Sequence, residues 1–351
     1  MRIFFISLFF ISLSFCQEIC IENFDKKLCN NFKISNGLIL KTKLKKNDLK
    51  DRLKIEAIRE IAFFKNSYIY LIDTANPIKD YNRFKNLDFI EYIIPDIIQN
   101  KRRSSFNIQK YQKSLNLNTY WSKTKGEGVN IAIIDDGFNL EHEDLKGANL
   151  LFSYDTDNKN LNSTPKVKLD THGTQVAGII FAQHNGIGVD GIAPKANLIA
   201  IRQTTNITSD TIISFTVAKK AGAHIINCSW NSPLLLEPVY DVIKALSKDT
   251  AIVFAAGNSA KKIEPYSIEP SIPEVVTVGA TQKYSNYGEV VDFKIASGIM
   301  TTKQNGTYGK FGGTSATAPI ISGLLALKIA QNKNKPIQEI IQTMKKEING
   351  N

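Results

Sequence analysis

The sequence predicts an α/β fold with a mostly parallel central sheet and helices on both faces, preceded by a small α+β domain. In residues 104–351, short apolar runs alternate with amphipathic segments. That alternation is typical of a parallel sheet buried between two layers of helices. Residues 17–103 instead combine two strand-like runs with one helix-like run. A length of 351 residues allows about two domains, which agrees with this division.

Composition excludes several classes of protein. With 43% hydrophobic and 22% charged residues, the chain is not disordered throughout, and its four cysteines exclude a disulfide-rich scaffold. The net charge of +11 is concentrated before residue 104, where it amounts to +7, and only +4 remains in residues 104–351. That small excess, without any aromatic–basic motif, leads us to expect no nucleic-acid partner.

The first 16 residues have the pattern of a secretory signal peptide. Residues 3–15 carry no charge, but about 13 residues are too few to cross a bilayer. Ser14 and Cys16 are small residues at positions −3 and −1 of a predicted cleavage site before Gln17. A buried helix, a membrane anchor or a lipoprotein at Cys16 are the alternatives. We therefore expect a secreted protein, or one delivered to a vacuole-type lumen, without a transmembrane anchor.

The positions of the cysteines are consistent with an exported protein. Cys20 and Cys29 are close enough along the chain to pair in an oxidising compartment. Cys228 lies in an apolar run, which predicts a buried packing residue.

Residues 17–103 are predicted to form the small α+β domain. Residues 67–73 and 88–94 have the composition of strands, and residues 48–63 are rich in Lys, Glu, Ile and Leu at helical spacing. The basic run 101–103 indicates an exposed linker, for which a plain solvated loop is the alternative.

Residues 104–351 contain the predicted sheet. The strands are placed at residues 130–134, 197–201, 224–228, 251–255 and 275–278, and the helices at 171–181, 209–221, 238–248 and 314–330.

Three residues whose side chains can take part in catalysis lie at strand ends or helix starts. Reactive groups of α/β proteins are usually found at these positions. Asp135 ends a buried strand, His172 precedes a helix for which Asp170 and Thr171 are plausible caps, and Ser315 opens a long helix after two glycines. Each has an ordinary structural alternative when taken alone: a strand-ending turn, a packed histidine or a helix cap.

A fourth residue makes the combination more specific. Asn258 follows the strand at residues 251–255 and carries a side-chain amide donor, although an Asx turn is its alternative role. The order Asp135, His172, Asn258, Ser315 is improbable by chance.

These motifs together resemble the subtilisin-like serine peptidases, over about residues 104–345. The stretches 188–194 (GVDGIAP) and 273–280 (PEVVTVGA) extend the resemblance. The Asp-Asp-Gly at 135–137, the Gly-Gly-Thr-Ser-Ala at 312–316 and the Ser-Trp pair at 229–230 resemble the kexin branch. The β-rich domain that follows the catalytic domain in kexins is not expected here, because 36 residues follow Ser315.

The resemblance implies a subtilisin-like fold and a serine endopeptidase that acts on polypeptides through an acyl-enzyme. Ser315 would be the nucleophile, His172 the general base and Asp135 its orienting carboxylate. Asn258 and the Ser315 backbone N–H would bind the oxyanion. Asp136 is expected to point away from the site.

The resemblance also implies which residues form a substrate-binding groove. Ser229, Trp230 and Asn231 would form one wall, and Ala256 and Gly257 the floor of the first pocket. Asn231 stands where the family usually has glycine.

Asp210 is a candidate for selecting basic residues before the cut. The stretch 206–210 (NITSD) resembles one that supplies such an acid in kexins, and the alternative is a carboxylate at a helix N-terminus.

A calcium site is implied in the same way. Asp144, Asn185, Ile187 and Val189 match the family's ligand positions, and carboxylate, amide and carbonyl oxygens suit Ca²⁺. Surface polar residues are the alternative.

Residues 17–103 are then expected to be a propeptide that assists folding and inhibits the enzyme, removed by self-cleavage after Arg103 to leave residues 104–351 as a monomeric catalytic domain. A catalytically silent relative that serves as a binding or regulatory module is the alternative. A nucleotide-binding α/β protein is disfavoured because no glycine-rich phosphate loop follows the first strand.

Overall fold

A computed structural model describes residues 19–24, 26–64, 66–99 and 117–349. The predicted signal peptide of residues 1–16 and the predicted cleavage site at Arg103 lie outside the described residues. No helix in the described ranges is long and apolar enough to cross a membrane.

The N-terminal part consists of a hairpin, a four-stranded sheet and two helices. The elements are β1 (Ile19–Asn23), β2 (Lys26–Asn30), β3 (Lys33–Thr42), α1 (Lys46–Leu53), β4 (Ile58–Phe64), β5 (Ser67–Asp73), α2 (Pro77–Phe84) and β6 (Ile90–Ile98). Strands β1 and β2 form a separate antiparallel sheet joined by the Cys20–Cys29 disulfide. The larger sheet has the order β4-β5-β3-β6 and is also antiparallel.

The single helix predicted over residues 48–63 is wrong in its second half. Helix α1 ends at Leu53, and residues 58–64 form β4, which pairs with β5 from Ile58↔Ile72 onward. Lys54 adopts a left-handed conformation with φ of 55° and stops the helix. Tertiary pairing overrides the local helical spacing, because Ile58 and Ile61 become buried only in the sheet.

The C-terminal part contains the predicted parallel sheet. Its elements are α3 (Leu117–Trp121), β7 (Asn130–Asp135), β8 (Asn149–Asp155), α4 (His172–Phe181), β9 (Asn197–Arg202), α5 (Thr208–Lys220), β10 (Ile225–Cys228), α6 (Glu237–Leu246), β11 (Ala251–Ala255), β12 (Val276–Ala280), β13 (Phe293–Ile295), β14 (Ile299–Thr302), β15 (Tyr308–Phe311), α7 (Thr314–Gln331) and α8 (Ile337–Asn349). Seven strands pair in parallel in the order β13-β12-β11-β10-β7-β9-β8.

Helices cover both faces of this sheet. Along β7, Ile131 and Ile133 belong to the core under α4 and α7, whereas Ala132 and Ile134 belong to the core under α5 and α6. This alternation is the two-residue period of a strand buried on both sides. The predicted α/β class, with a mostly parallel sheet and helices on both faces, is confirmed.

The N-terminal sheet packs on the outer side of α5. Ile39, Ile61 and Ile94 share one hydrophobic cluster with Ile212 and Phe215 of α5. Because both parts bury apolar side chains in that cluster, each covers surface that the other would otherwise expose to water.

Asp96 of β6 links the two parts at the N-terminus of α5. Its carboxylate accepts hydrogen bonds from Ser209 N at 2.9 Å and Ser209 Oγ at 2.6 Å. Burial raises the pKa of Asp96 above its ordinary value, although the hydrogen bonds from Ser209 and Ser35 act in the opposite direction. The helix thus takes a cap from another part of the chain.

Candidate active site

The site forms along the carboxyl edge of the parallel sheet. Strands β11, β10 and β7 are neighbours, and Asn258, Ser229 and Asp135 follow or end them in that order. Helices α4 and α7 begin beside the same residues, so their positive N-terminal ends add to the field of the site.

Asp135 and His172 form a buried hydrogen-bonded pair. His172 Nδ1 lies 2.8 Å from Asp135 Oδ1 and 2.9 Å from Oδ2. The side chain of His172 is 7% exposed and that of Asp135 is fully buried. A carboxylate in this position fixes the ring tautomer with the proton on Nδ1 and leaves Nε2 as the basic nitrogen.

Asp136 holds the start of α4. Its two oxygens accept hydrogen bonds from His172 N at 3.0 Å and Gly173 N at 2.7 Å. Thr171, one of the two predicted caps, makes no side-chain capping bond to α4. The two neighbouring carboxylates therefore have different roles. Asp135 binds the imidazole of His172, and Asp136 binds the backbone N–H groups at the start of α4.

Gly173 permits this close approach. A Cβ atom at this position would lie 2.5 Å from the carbonyl oxygen of Gly137 and 3.0 Å from Cβ of Asp135. Only glycine lets the helix start so near the end of β7.

The other side of the imidazole packs against an aromatic ring. The ring of Phe311 meets that of His172 edge to face, with centroids 5.1 Å apart. His172 Nε2 is buried and makes no hydrogen bond to any group in the described residues. An unpaired basic nitrogen here is available to receive a proton.

Ser315 lies in the first turn of α7. The turn before it requires Gly313, whose φ of 73° disfavours residues with a side chain. Ser315 is 1% exposed, and its Oγ donates a hydrogen bond to the carbonyl oxygen of Ser229 at 2.9 Å. The structure thus places the hydroxyl at the carboxyl end of β10 but does not join it to His172 by a hydrogen bond.

Asn258 is fixed against the start of α7. Its Oδ1 accepts a hydrogen bond from Thr314 N at 2.8 Å, and Gly257 N donates to Thr314 Oγ1 at 3.0 Å. These bonds bring the amide next to Ser315, where the resemblance requires an oxyanion donor.

Two of the five predicted groove residues, Asn231 and Gly257, line one cavity. A cavity of about 270 Å³ is lined by Asn231, Gly257, Asn258 and Asn286, among others. Ala256 is buried, and its carbonyl oxygen accepts a hydrogen bond from Asn286 Nδ2 at 2.9 Å.

The other two predicted wall residues, Ser229 and Trp230, are buried and are not among the residues that line that cavity. Ser229 supplies the carbonyl that binds Ser315, while Trp230 is buried and donates from Nε1 to Ile134 O at 2.6 Å. Trp230 therefore anchors the wall to β7 rather than facing the groove.

Sequence reasoning missed Asn286. Its Oδ1 accepts hydrogen bonds from Ser259 N at 3.0 Å and Lys261 N at 3.1 Å, so it shapes the loop after Asn258. Nothing in the local sequence marks it, because its partners lie 25 to 30 residues away.

Asp210 lies in the first turn of α5, and its carboxylate accepts a hydrogen bond from Thr205 Oγ1 at 2.7 Å. The neighbouring backbone at Ile207 forms an antiparallel bridge with Ile98, and Gln99 N donates to Asn206 O. The last described residues of the N-terminal part thus lie as a strand beside residues 206–207.

A second missed feature is the charged cluster around Arg202. The buried guanidinium donates to Asp157 Oδ2 at 2.8 Å and to Asp170 Oδ2 at 3.1 Å. Burial raises the pKa of Asp157, but hydrogen bonds from Thr204 and Thr205 and the charge of Arg202 bring it below its ordinary value. The cluster ties the loop before His172 to the segment that leads to residues 206–207.

The predicted calcium ligands are joined in pairs by hydrogen bonds, Asp144 with Val189 and Asn185 with Ile187. Asp144 is fully buried, and its Oδ2 accepts a hydrogen bond from Val189 N at 2.7 Å. Asn185 Oδ1 accepts one from Ile187 N at 2.9 Å. Asp144 Oδ1 is buried without a hydrogen-bond partner in the described chain, so a carboxylate oxygen is left for a cation.

The described residues contain no group of three or more His, Cys, Asp or Glu side chains that could hold a metal ion. A cation at Asp144 would therefore need amide and backbone carbonyl oxygens from the 185–189 loop to complete its shell.

The fold and the site together define an α/β protein with a candidate serine-hydrolase centre. A profile of the subtilase family matches residues 126–350, which is more than half of the chain. The chain belongs to the subtilase family.

Individual relatives agree with this assignment. The thermophilic serine proteinase of Bacillus sp. (strain AK1) is 34% identical over 255 residues, covering 66% of this chain and 61% of that protein. The calcium-dependent protease of Nostoc sp. (strain PCC 7120) is 26% identical over 358 residues, covering 82% of this chain and 54% of that protein. The chain spans between about half and three-fifths of the length of these curated relatives.

The fold is shared with a solved structure. The crystal structure of fervidolysin from Fervidobacterium pennivorans, described as a keratinolytic enzyme related to subtilisin, matches with a TM-score of 0.71 at 18% identity. The match covers 88% of this chain and 57% of that chain. At this identity the likeness shows the subtilisin-like fold alone.

Proposed function

We propose that the protein is a serine endopeptidase in which Asp135, His172 and Ser315 act as the triad. The observation that carries the proposal is the buried Asp135–His172 pair, whose Nε2 has no hydrogen-bond partner in the described residues, at the sheet edge where Ser315 opens α7. An orienting acid, a basic nitrogen and an alcohol are the three groups that acyl transfer requires.

The mechanism begins with a movement of the Ser315 hydroxyl. Its hydrogen bond to Ser229 O must be exchanged for one to His172 Nε2, so that the imidazole takes the proton while Oγ attacks the peptide carbonyl. Asp135 stabilises the imidazolium through Nδ1. His172 then gives the proton to the leaving amine, and water hydrolyses the Ser315 ester by the same steps in reverse.

Labelling with a fluorophosphonate tests the proposal directly. We expect one adduct on the purified active protein, located at Ser315 by peptide mass spectrometry. A protein that hydrolyses no peptide and takes no label would instead support the silent binding or regulatory module.

Asn258 is expected to stabilise the oxyanion with the Ser315 backbone N–H. We predict that Asn258→Ala lowers kcat by about 10²–10³-fold with little change in KM, because the donor acts mainly in the transition state. Steady-state kinetics on a chromogenic peptide measure this.

Asn258→Asp separates catalysis from structure. It keeps an acceptor for Thr314 N but lacks the amide donor, so we expect a loss at least as large as that of Asn258→Ala. Wild-type kcat in either variant would exclude Asn258 from the oxyanion site.

We propose that the protein is exported and made as a zymogen, with residues 17–103 as an inhibitory propeptide. In support, β6 leads Ile98 and Gln99 into antiparallel contact with residues 206–207, close to where a peptide substrate would bind as an added strand. N-terminal sequencing of purified wild type and Ser315→Ala is the test. A new terminus at Ser104 in the wild type alone is expected, and intact wild type would contradict self-cleavage.

Asp210 is proposed to favour basic residues before the cut, in the manner of the kexin branch. In support, its carboxylate, in the first turn of α5, accepts a hydrogen bond from Thr205, close in the chain to residues 206–207. Equal turnover of peptides with Arg and with Leu before the cut would contradict this specificity.

Calcium is proposed as a structural ion held by Asp144 with oxygens of Asn185, Ile187 and Val189. The buried, unpartnered Asp144 Oδ1 supports this, and bound Ca²⁺ would neutralise that carboxylate and stiffen the 185–189 loop. We predict that EDTA lowers the Tm of the wild type by about 5–10 °C.

Without EDTA, Asp144→Asn should have a lower Tm than the wild type. EDTA should then change the Tm of this variant very little. Asp190→Asn, which alters an exposed carboxylate after the same loop, should respond like the wild type. Calorimetry measures all three proteins, and an EDTA effect of equal size in Asp144→Asn would place the ion elsewhere.

A further inference from the structure

We propose that the disulfide-bonded hairpin 19–30 is a separate docking element that holds the N-terminal part on helix α6. This rests on the proposed function of residues 17–103 as a propeptide. The hairpin is its own two-stranded sheet, and its Ile19 and Ile21 share a hydrophobic cluster with the four-stranded sheet and α5. Its tip adds hydrogen bonds at the start of α6, a helix that the four-stranded sheet also contacts through Lys41 and Asp241.

Asn23 carries the contact. Its Oδ1 accepts a hydrogen bond from Glu237 N at 2.6 Å, and its Nδ2 donates to Leu235 O at 3.1 Å. Asn23 is 3% exposed, so both bonds are shielded from water. Leu236, the N-cap of α6, has no side chain able to accept such a bond, and Asn23 supplies the cap from the hairpin.

The next residue extends the same interface. Phe24 N donates to Glu237 Oε2 at 3.3 Å, which reciprocates the bond made by Asn23. The ring of Phe24 packs against Tyr240 at 5.3 Å and Tyr266 at 5.7 Å between centroids. The tip of the hairpin thus joins a polar cap to an aromatic cluster on the C-terminal part.

The disulfide fixes the shape of the hairpin. Cys20 and Cys29 face each other across β1 and β2, and the bond joins the strands a few residues before the tip. A two-stranded hairpin alone is marginally stable in water, so the bond lowers the entropy that docking must otherwise remove. Reduction of the disulfide should therefore weaken the binding of the N-terminal part to the C-terminal part.

Dissociation of a cleaved chain tests the proposal without requiring catalysis. In the full-length Ser315→Ala protein, residues 104–109 are replaced by the recognition sequence of a sequence-specific protease. After cleavage at that sequence, the separation of the two fragments is followed by gel filtration over time. An inactive enzyme would refute the proposed function but would leave this measurement intact.

Asn23→Ala is expected to speed dissociation at least tenfold, which corresponds to about 1.4 kcal/mol. Asn47→Ala, a matched change at an exposed asparagine in α1, should leave the rate unchanged. Phe24→Ala is the second variant and should speed dissociation in the same direction. Equal rates for Asn23→Ala, Phe24→Ala and Asn47→Ala, or a parent chain whose fragments separate at once, would overturn the proposal.

A dithiol reductant tests the disulfide. It converts the bond into two thiols while the reductant is oxidised to its own disulfide. We expect faster dissociation of the parent on reduction but no response from Cys20→Ser/Cys29→Ser, which retains the buried Cys228 as an internal control. An unchanged rate in the reduced parent would overturn the role of the disulfide.

Discussion

Replacement of Ser315 by alanine is expected to lower kcat by roughly 10⁴–10⁶-fold and to abolish fluorophosphonate labelling. The substitution removes the attacking oxygen while it leaves the Asp135–His172 pair and the start of α7 in place. Any remaining rate would come from substrate binding and oxyanion stabilisation alone. Burst and steady-state kinetics on a chromogenic peptide measure the loss.

Ser322→Ala is the matched control for that experiment. Ser322 is also a buried serine of α7, but its Oγ donates to Asn227 Oδ1 at 2.9 Å, inside the core. We expect this variant to lose stability and to keep kcat within about threefold of the wild type. A Ser315→Ala protein as active as Ser322→Ala would require a different nucleophile.

Asp135→Asn is expected to lower kcat about 10⁴-fold although the fold is retained. An amide can donate its own proton to His172 Nδ1, and the ring then carries its proton on Nε2, where it can no longer accept one from Ser315. The pH dependence of kcat and the Tm should be measured on the same preparation.

Asp136→Asn separates this tautomer effect from helix positioning. The amide has one acceptor oxygen in place of the two that bind His172 N and Gly173 N, so we expect a lower Tm and a kcat within about tenfold of the wild type. Equal losses of kcat in the two variants would show that helix placement, rather than the ring tautomer, limits the rate.

The central strands could be predicted from the sequence because both faces of each are buried. The predicted 251–255 coincides with β11, and the predicted 130–134 falls one residue short of β7. The edge strand β8 was missed, since its first residues are exposed and its apolar run is short. Strand β4 was predicted as helix because only its partner β5 makes the extended form favourable.

The residues of the candidate site could be predicted where motif and position agree, but their supporting contacts could not. The pairing of Asp135 with His172 joins positions 37 residues apart and follows from strand-end geometry. By contrast, Asp136 replaced the predicted caps of α4, and Asn286 and Arg202 gain their roles from partners that only folding brings near. The hydrogen bond from Ser315 Oγ to Ser229 O is likewise a contact that only folding brings about.

The side chain of Arg202 links two loops through shared hydrogen bonds. Its guanidinium binds the carboxylate of Asp170, two residues before His172, and the carboxylate of Asp157, which in turn binds the backbone of Thr204. We therefore expect a displacement of either loop to strain the hydrogen bonds that the same guanidinium makes to the other. Lysine, a point charge on a flexible stem, could not transmit it in the same way.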